Sequence, residues 1–384
     1  MRFQLSEETE MLRVAVRAFA EKELAPFVRE RDERGGVDRS VWGKMAVMGL
    51  TAIPLEEHYG GAGGTVLDYA VVLEELAAAC PSSAAMLAAH TGYAVWPIRH
   101  YACHNGNGKF NSRLAALAEG RLLGGFAAPP MDEGSLIAVP DGLLQGGYRL
   151  NGAVPVAVNA ETADLVIMFA RIHRQGGQRG RLTAFVIEKG MPGFHAVPGA
   201  AKIGLKGFST GSLHFDNCRV AWDTDQLGRK GQGRAVAASV AEIGNIGAAA
   251  QAVGVAQGAL SAAVDYAKTR KQFGKLISRQ QGIAFKLADM LTQVEAARLL
   301  VYQAAWRMSE GIACTREAAI ARNISAQTAI AVTLEAVQLY GGYGYMKEYS
   351  VERMLRDAKC LESDFATGGM ELASISSILT GPTD

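Results

Sequence analysis

Residues 266–290 read Tyr-Ala-Lys-Thr-Arg-Lys-Gln-Phe-Gly-Lys-Leu-Ile-Ser-Arg-Gln-Gln-Gly-Ile-Ala-Phe-Lys-Leu-Ala-Asp-Met, and they concentrate the chain's most specific chemistry. The pattern predicts a helix ending near Arg270, a turn through Gly274 and a second helix from about Ser278. A cationic fork at such a junction can hold a pyrophosphate through charge-assisted hydrogen bonds. The alternative is a solvated basic turn with one core aromatic. A second cluster lies at Gln338, Gly341, Gly342 and Gly344. Glycines there let backbone N–H groups approach a phosphate that a side chain would keep away. Taken alone, Gly-Gly-x-Gly is more often a plain helix-ending turn. Downstream, Glu352, Arg353, Arg356, Asp357 and Lys359 form a charged helical run, and Asp364 follows within a glycine-containing turn.

These stretches, in this order, resemble the acyl-CoA dehydrogenase family. So does Pro54-x-x-x-x-Tyr59-Gly60-Gly61-x-Gly63, followed by Glu74-Glu75-Leu76. The resemblance spans nearly the whole chain and implies an FAD site. By position it assigns Arg270 to the pyrophosphate, with Gln272 and Gln281 beside it. It puts Phe273 near the adenosine portion of a neighbouring subunit's cofactor, and Gln338, Gly341 and Gly342 on the diphosphate across the subunit boundary. Thr367 and Ser135 complete the implied cofactor contacts. Such sharing implies a homo-oligomer, a dimer or the family's usual tetramer.

The match thins where chemistry happens. The family's Thr-Glu-Pro-x-x-Gly-Ser-Asp stands here as Ala128-Pro129-Pro130-Met131-Asp132-Glu133-Gly134-Ser135, one residue longer, with Pro130, Gly134 and Ser135 retained. The aromatic-Ile-Thr/Ser-Asn element beside the isoalloxazine reads Val156-Ala157-Val158-Asn159. Val156 and Val158 are expected as strand core, and the pocket beside them as less polar and roomier than usual. Removal of an α-proton needs a base. The family's glutamate position corresponds to Phe365, and its alternative position on an earlier helix to Gly244, followed by Asn245. Asp364, one residue early, is the candidate base; its other reading is an Asx-turn residue. Glu242 lies two residues from Gly244, which turns it to the opposite side of a helix. Glu352 and Arg353 read as structural ion-pair partners.

The elements that must position these groups follow from pattern. Residues 6–31 suit an amphipathic helix capped by Ser6 and broken at Pro26, with further helices at 40–49, after Gly64, at 81–101 and at 110–119. Near Arg121 the texture changes to short β-branched and aromatic runs, at 147–151, 164–170, 182–188 and 213–220, separated by turn residues. Helical periodicity returns after Gly231 at about 234–270, 279–311, 314–340 and 348–361. The expected fold class is α+β: an N-terminal helical domain (1–121), a middle antiparallel β-barrel-like domain (122–228) and a C-terminal four-helix bundle (229–384).

Hydrophobic content of 49%, charged content of 20% and a net charge of +1 describe an ordinary globular chain with no bulk electrostatic case for nucleic acid or a membrane surface. The 5 cysteines are scattered and never spaced Cys-x-x-Cys, which favours a reducing compartment. The apolar stretch 246–264 reads as a buried helix of a cytoplasmic protein. His58, His90, His100 and His104 form no metal-like set. The resemblance implies oxidation of a saturated acyl thioester, on coenzyme A or an acyl carrier protein, to an enoyl thioester, with electrons passed to an electron-transfer flavoprotein. Its rivals are altered flavin chemistry (another dehydrogenation position, an oxidase or a monooxygenase) and a non-catalytic subunit.

Overall fold

A computed structural model gives the fold and describes residues 4–36, 38–102, 108–130, 135–141, 147–173, 180–363 and 375–376. Helix α1 (Glu7–Phe19) starts at Ser6, whose Oγ accepts the Thr9 N–H at 3.1 Å. Pro26 breaks the helix as expected: a π turn (Ala20–Leu24) and a 3₁₀ turn (Ala25–Phe27) precede α2 (Val28–Arg34). Helix α3 (Arg39–Val47) leads to the glycine-rich loop. A Cβ on Gly61 would lie 2.1 Å from the Leu55 carbonyl oxygen, so only glycine lets this loop fold back on itself. Helices α4 (Val66–Ala79), α5 (Pro81–His90), α6 (Trp96–Tyr101) and α7 (Gly108–Ala118) follow, α4 opening on a Thr65–Asp68 capping box.

The middle of the chain forms strands β1 (Gly124–Ala127), β2 (Leu136–Asp141), β3 (Gly147–Val158), β4 (Leu165–Ile172), β5 (Leu182–Glu188), β6 (Phe194–Pro198), β7 (Thr210–Ala221) and β8 (Gln226–Leu227). Their order is β6-β7-β3-β1-β4-β5-β8, with β2 also between β3 and β4. The sheet is mixed, not wholly antiparallel as expected from the sequence: β1 and β2 both run parallel to β4. The reason is topological. β1 and β2 share one slot, end to end, with β3 antiparallel on one side and β4 on the other. Both are short and lack a clear alternating pattern, so their residues do not read as strands from the sequence.

β3 carries a register shift between Val154 and Ala157. This irregularity lifts Val156 to 43% exposure, whereas Val158 is buried at 2%. The expectation that both are strand core therefore holds for Val158 and fails for Val156.

Two side chains join α5 to this sheet. His90 Nδ1 accepts the Gly124 N–H at 2.9 Å, and Asn159 Nδ2 donates to the Gly124 carbonyl at 2.9 Å and to the Met86 carbonyl at 3.2 Å. Gly124 itself is tight, since a Cβ there would meet Ala94 Cβ at 2.3 Å.

The C-terminal part is a bundle of α8 (Gly233–Thr269), α9 (Gln281–Ser309), α10 (Thr315–Tyr340) and α11 (Ser350–Glu362). Helix α8 is long and apolar enough to cross a membrane, but it is the core helix, packed by α4, α9, α10 and α11. The charged run on α11 is structural. Arg353 donates to Asp357 at 2.8 Å, Asp357 accepts the Leu205 N–H at 2.6 Å, and Glu352 pairs with Arg356 at 2.8 Å. Arg356 also reaches Asp32 of α2 at 2.7 Å.

Burial of the His90 ring disfavours its cation and lowers its pKa to about 3. An unfolded histidine titrates near ~6.5. The unfolded chain therefore binds the extra proton below that pH, so the stabilising contribution is complete above it and is lost as pH falls toward 3. The expected outcome is that wild type loses about 1.4 kcal/mol more per pH unit between pH 6 and 4 than His90→Gln. Denaturant midpoints across that range, compared between the two proteins, check this.

Candidate active site

Two cavities bear on the residues singled out by the sequence, one gathering five of them and the other lying beside Val158. The first is a groove of ≈ 510 Å³ where the end of α8 meets the end of α10. Arg270, Gln272, Gln338, Gly341 and Gly342 all line it. Arg270 caps α8 in extended conformation, φ −72° and ψ 132°, and its guanidinium lies 5.6 Å from the centre of the Tyr343 ring. Gly341 ends α10 at φ 59° and ψ −136°, where a side chain would be strained. Nothing lies within 4 Å of a Cβ built on Gly341 or Gly342, so their backbone faces open space.

The lining carries a guanidinium, amides, tyrosines and backbone, with no carboxylate among the described residues. This donor set suits an anionic diphosphate. Tyr266, Gln280 and Tyr343, which no motif singles out, also line the groove. The Gln280-Gln281 pair and the aromatics around the glycines were the available signal.

Other expected cofactor residues lie elsewhere. Phe273 and Gly274 form the tip of a two-residue hairpin between strands β9 (Lys271–Gln272) and β10 (Lys275–Leu276), with φ of 52° and 77°. Phe273 is 93% exposed, so it is not the core aromatic of the bland reading. Gln281, the first residue of α9, is exposed and does not line the groove. Ser135 belongs to the β region, where its carbonyl accepts the Ala153 N–H at 2.8 Å. Asp364, Phe365 and Thr367 lie outside the described residues.

The second cavity is smaller, ≈ 50 Å³, and sits where α5, β3, α8, α10 and the end of α11 converge. Its walls include Ala85, Ala88, Ala89, Tyr93, Val158, Gln251, Arg322, Cys360 and Ser363. Among the described residues little room is left beside Val158. Tyr93 takes up the space, and four polar side chains (Tyr93, Gln251, Arg322 and Ser363) reach the wall. Burial raises the Cys360 thiol pKa, which argues against a thiolate there.

Two of the alternative base positions have well-defined surroundings. A Cβ on Gly244 would lie 2.5 Å from Tyr93 Cε1 and 3.1 Å from the Tyr93 hydroxyl. No glutamate fits at 244 while Tyr93 stands there. Glu242 accepts a hydrogen bond from Thr315 Oγ1 at the start of α10 and does not line the cavity. His100 makes a local contact, its Nδ1 2.8 Å from the Trp96 carbonyl oxygen. His104 lies outside the described residues, and among those described no metal-binding cluster of His, Cys, Asp or Glu occurs.

Gly244→Ala is expected to destabilise the fold by about 1–3 kcal/mol through overpacking against Tyr93. Adding Tyr93→Ala should recover much of that loss, so the two changes couple strongly. Thermal melts of the two single variants and the double variant measure the coupling.

Three family models match the chain in order: acyl-CoA dehydrogenase, N-terminal domain, over residues 6–117; middle domain, over 138–218; and C-terminal domain, over 231–369. An acyl-CoA dehydrogenase of Bacillus subtilis is 40% identical over 99% of this chain and 100% of its own length. The short-chain-specific acyl-CoA dehydrogenase of Clostridium acetobutylicum is 38% identical over 94% of this chain and 95% of its own. Among solved structures, butyryl-CoA dehydrogenase from Megasphaera elsdenii matches with a TM-score of 0.92 at 37% identity, over 99% of this chain and 100% of that one. With all three domains in the family's order and relatives aligned end to end, the chain belongs to the acyl-CoA dehydrogenase family.

Proposed function

We propose that the protein is an FAD-dependent dehydrogenase of a short acyl thioester, carried on coenzyme A or an acyl carrier protein, and that it yields the enoyl thioester. The observation that carries this reading is the groove at the end of α8. Among the described residues its lining has one cation, three carboxamide side chains (Gln272, Gln280 and Gln338) and open glycine backbone, a set that suits the diphosphate of FAD. Arg270 supplies the charge, and Gly341 and Gly342 keep the approach clear of side chains. FAD, when bound, supplies the acceptor for the β-hydride.

The relation between the two cavities favours a shared site. Gln251 and Arg270 lie on or at the end of one helix, about 28 Å apart at ~1.5 Å per residue. That is more than a ribityl chain spans between a diphosphate and its flavin ring. A groove on one subunit is therefore matched to the small cavity of another, and the exposed Phe273 hairpin reaches toward that neighbour. This supports a homo-oligomer, a dimer or tetramer. We further assign electron-transfer flavoprotein as the electron acceptor, and the cytoplasm as the location, in keeping with free thiols at Cys80, Cys218, Cys314 and Cys360.

Asp364 is our choice for the base. Ser363 lines the small cavity, and Asp364 is the next residue, one Cα step of ~3.8 Å along the chain. Gly244 and Glu242 are argued against by Tyr93 and Thr315. The alanines of α5 and the small volume suit a short chain.

The purified protein should be yellow, and Arg270→Ala should weaken FAD retention about 10- to 100-fold, read by flavin fluorescence on dilution. Anaerobic addition of short saturated acyl thioesters should bleach the flavin, and Asp364→Asn should abolish bleaching. A colourless protein that FAD cannot reconstitute ends the enzyme reading. A yellow protein that no thioester reduces, but that reacts with NAD(P)H or oxygen, points to altered flavin chemistry. One inert to all of these fits a non-catalytic subunit.

A further inference from the structure

Helix α5 does not stop at His90. It runs on through the π turn Thr91–Val95, a wider turn of the kind that recurs at functional sites. This turn is held from two sides. Thr91 Oγ1 donates to the Thr51 carbonyl at 2.9 Å, and a Cβ on Gly92 would lie 3.0 Å from the Tyr69 hydroxyl oxygen. Tyr93, at its centre, lines the small cavity beside Ala85, Ala88 and Ala89 of α5. Helix α8 meets it with Gly244. The three atoms nearest a Cβ built on Gly244, at 2.5, 3.1 and 3.2 Å, all belong to the Tyr93 ring and its hydroxyl.

The ring thus fills space that no side chain of α8 occupies. Its other neighbour is Phe126, 2% exposed, with ring centres 5.4 Å apart. Glycine backbone, alanine methyls and an aromatic ring make a lining that suits hydrocarbon. With Tyr93 in place the cavity measures ≈ 50 Å³, enough for a few heavy atoms. Truncating the ring to a methyl would vacate room for roughly three or four methylene groups. Neither Gly244 nor the α5 alanines carry a side chain long enough to close that gap.

We propose that Tyr93 is the stop that limits the acyl chain to about butyryl length, and that the space its ring covers is a latent extension of the acyl site. This rests on the thioester-dehydrogenase reading above and assigns its chain-length selectivity to one residue, acting through its volume and not its hydroxyl.

The test titrates the flavoprotein anaerobically with butyryl- and hexanoyl-coenzyme A, in wild type and in Tyr93→Phe, Tyr93→Ala and Tyr93→Val. Calorimetry reads Kd and absorbance reads bleaching. Wild type should bind the butyryl thioester roughly 10-fold tighter than the hexanoyl one, which overfills the cavity. Tyr93→Phe should keep that order. Tyr93→Ala should reverse it to about 10-fold in favour of hexanoyl, since two further methylenes become buried. Tyr93→Val should shift the ratio the same way by a smaller factor, and it decides the matter should the alanine variant fold poorly. Loss of stability alone weakens both thioesters and does not exchange their order. Wild type binding hexanoyl as tightly as butyryl, an order lost in Tyr93→Phe, or an order unmoved by Tyr93→Ala and Tyr93→Val overturns the proposal. The expected order without bleaching supports the proposal and counts against the dehydrogenase reading alone. Failure of both thioesters to bind wild type overturns both.

Discussion

The close approach of α8 to α4 is the constraint on which the rest depends. A Cβ on Gly254 would lie 2.2 Å from the Glu74 carbonyl oxygen, and one on Gly258 would lie 2.5 Å from that of Ala78. A Cβ on Gly247 would meet the Tyr69 hydroxyl at 2.9 Å. At these points the helix backbone itself is the packing surface, and any side chain would push the two helices apart. The alanine and glycine content of α8 is thus a requirement for central placement, not an indifferent composition. Because α8 is one rigid rod of 37 residues, fixing its middle fixes everything it carries. It presents Ala248 and Gln251 to the small cavity, Gly244 to the Tyr93 ring, and Tyr266 and Arg270 to the groove.

The junction at α11 holds the second wall of the small cavity in the same way. Asp357 is fully buried, and desolvation raises its pKa, opposed by the Arg353 cation beside it. Its Oδ1 accepts the Leu205 N–H and its Oδ2 accepts from Arg353, so both oxygens are satisfied. Removing either partner would leave a buried charge uncompensated, which is why such pairs are sensitive to single substitutions. Leu205, Cys360, Leu361 and Ser363 all line the cavity, so this ion pair registers one wall of it against α8.

Gly244, the alternative base position of the sequence reading, has a steric constraint. Tyr93 lies in the π turn Thr91–Val95 that continues α5, and its ring packs 5.4 Å from that of Phe126 on β1. It fills the space a side chain on Gly244 would need. The glycine and the tyrosine are thus one feature seen from two positions in the chain. Tyr93 also lines the small cavity and adds a hydroxyl to its wall.

The sequence by itself determined the order of the three regions, the four long helices to within a few residues, the break at Pro26 and the cap at Ser6. These are local properties, set by periodicity, by the missing proline N–H and by a side-chain oxygen within reach of its own backbone. It also located Arg270, Gln272, Gln338, Gly341 and Gly342, because turn glycines and forked cations at helix ends are visible as spacing. The tertiary structure alone decided that these five line one groove, although they lie on segments far apart in sequence. It alone decided that β1 and β2 share a slot parallel to β4, that Val156 faces out at a register shift, and that Tyr93 occupies the space beside Gly244. Each of these is a relation between residues distant in the chain. Periodicity has no term for such relations, and only packing fixes them.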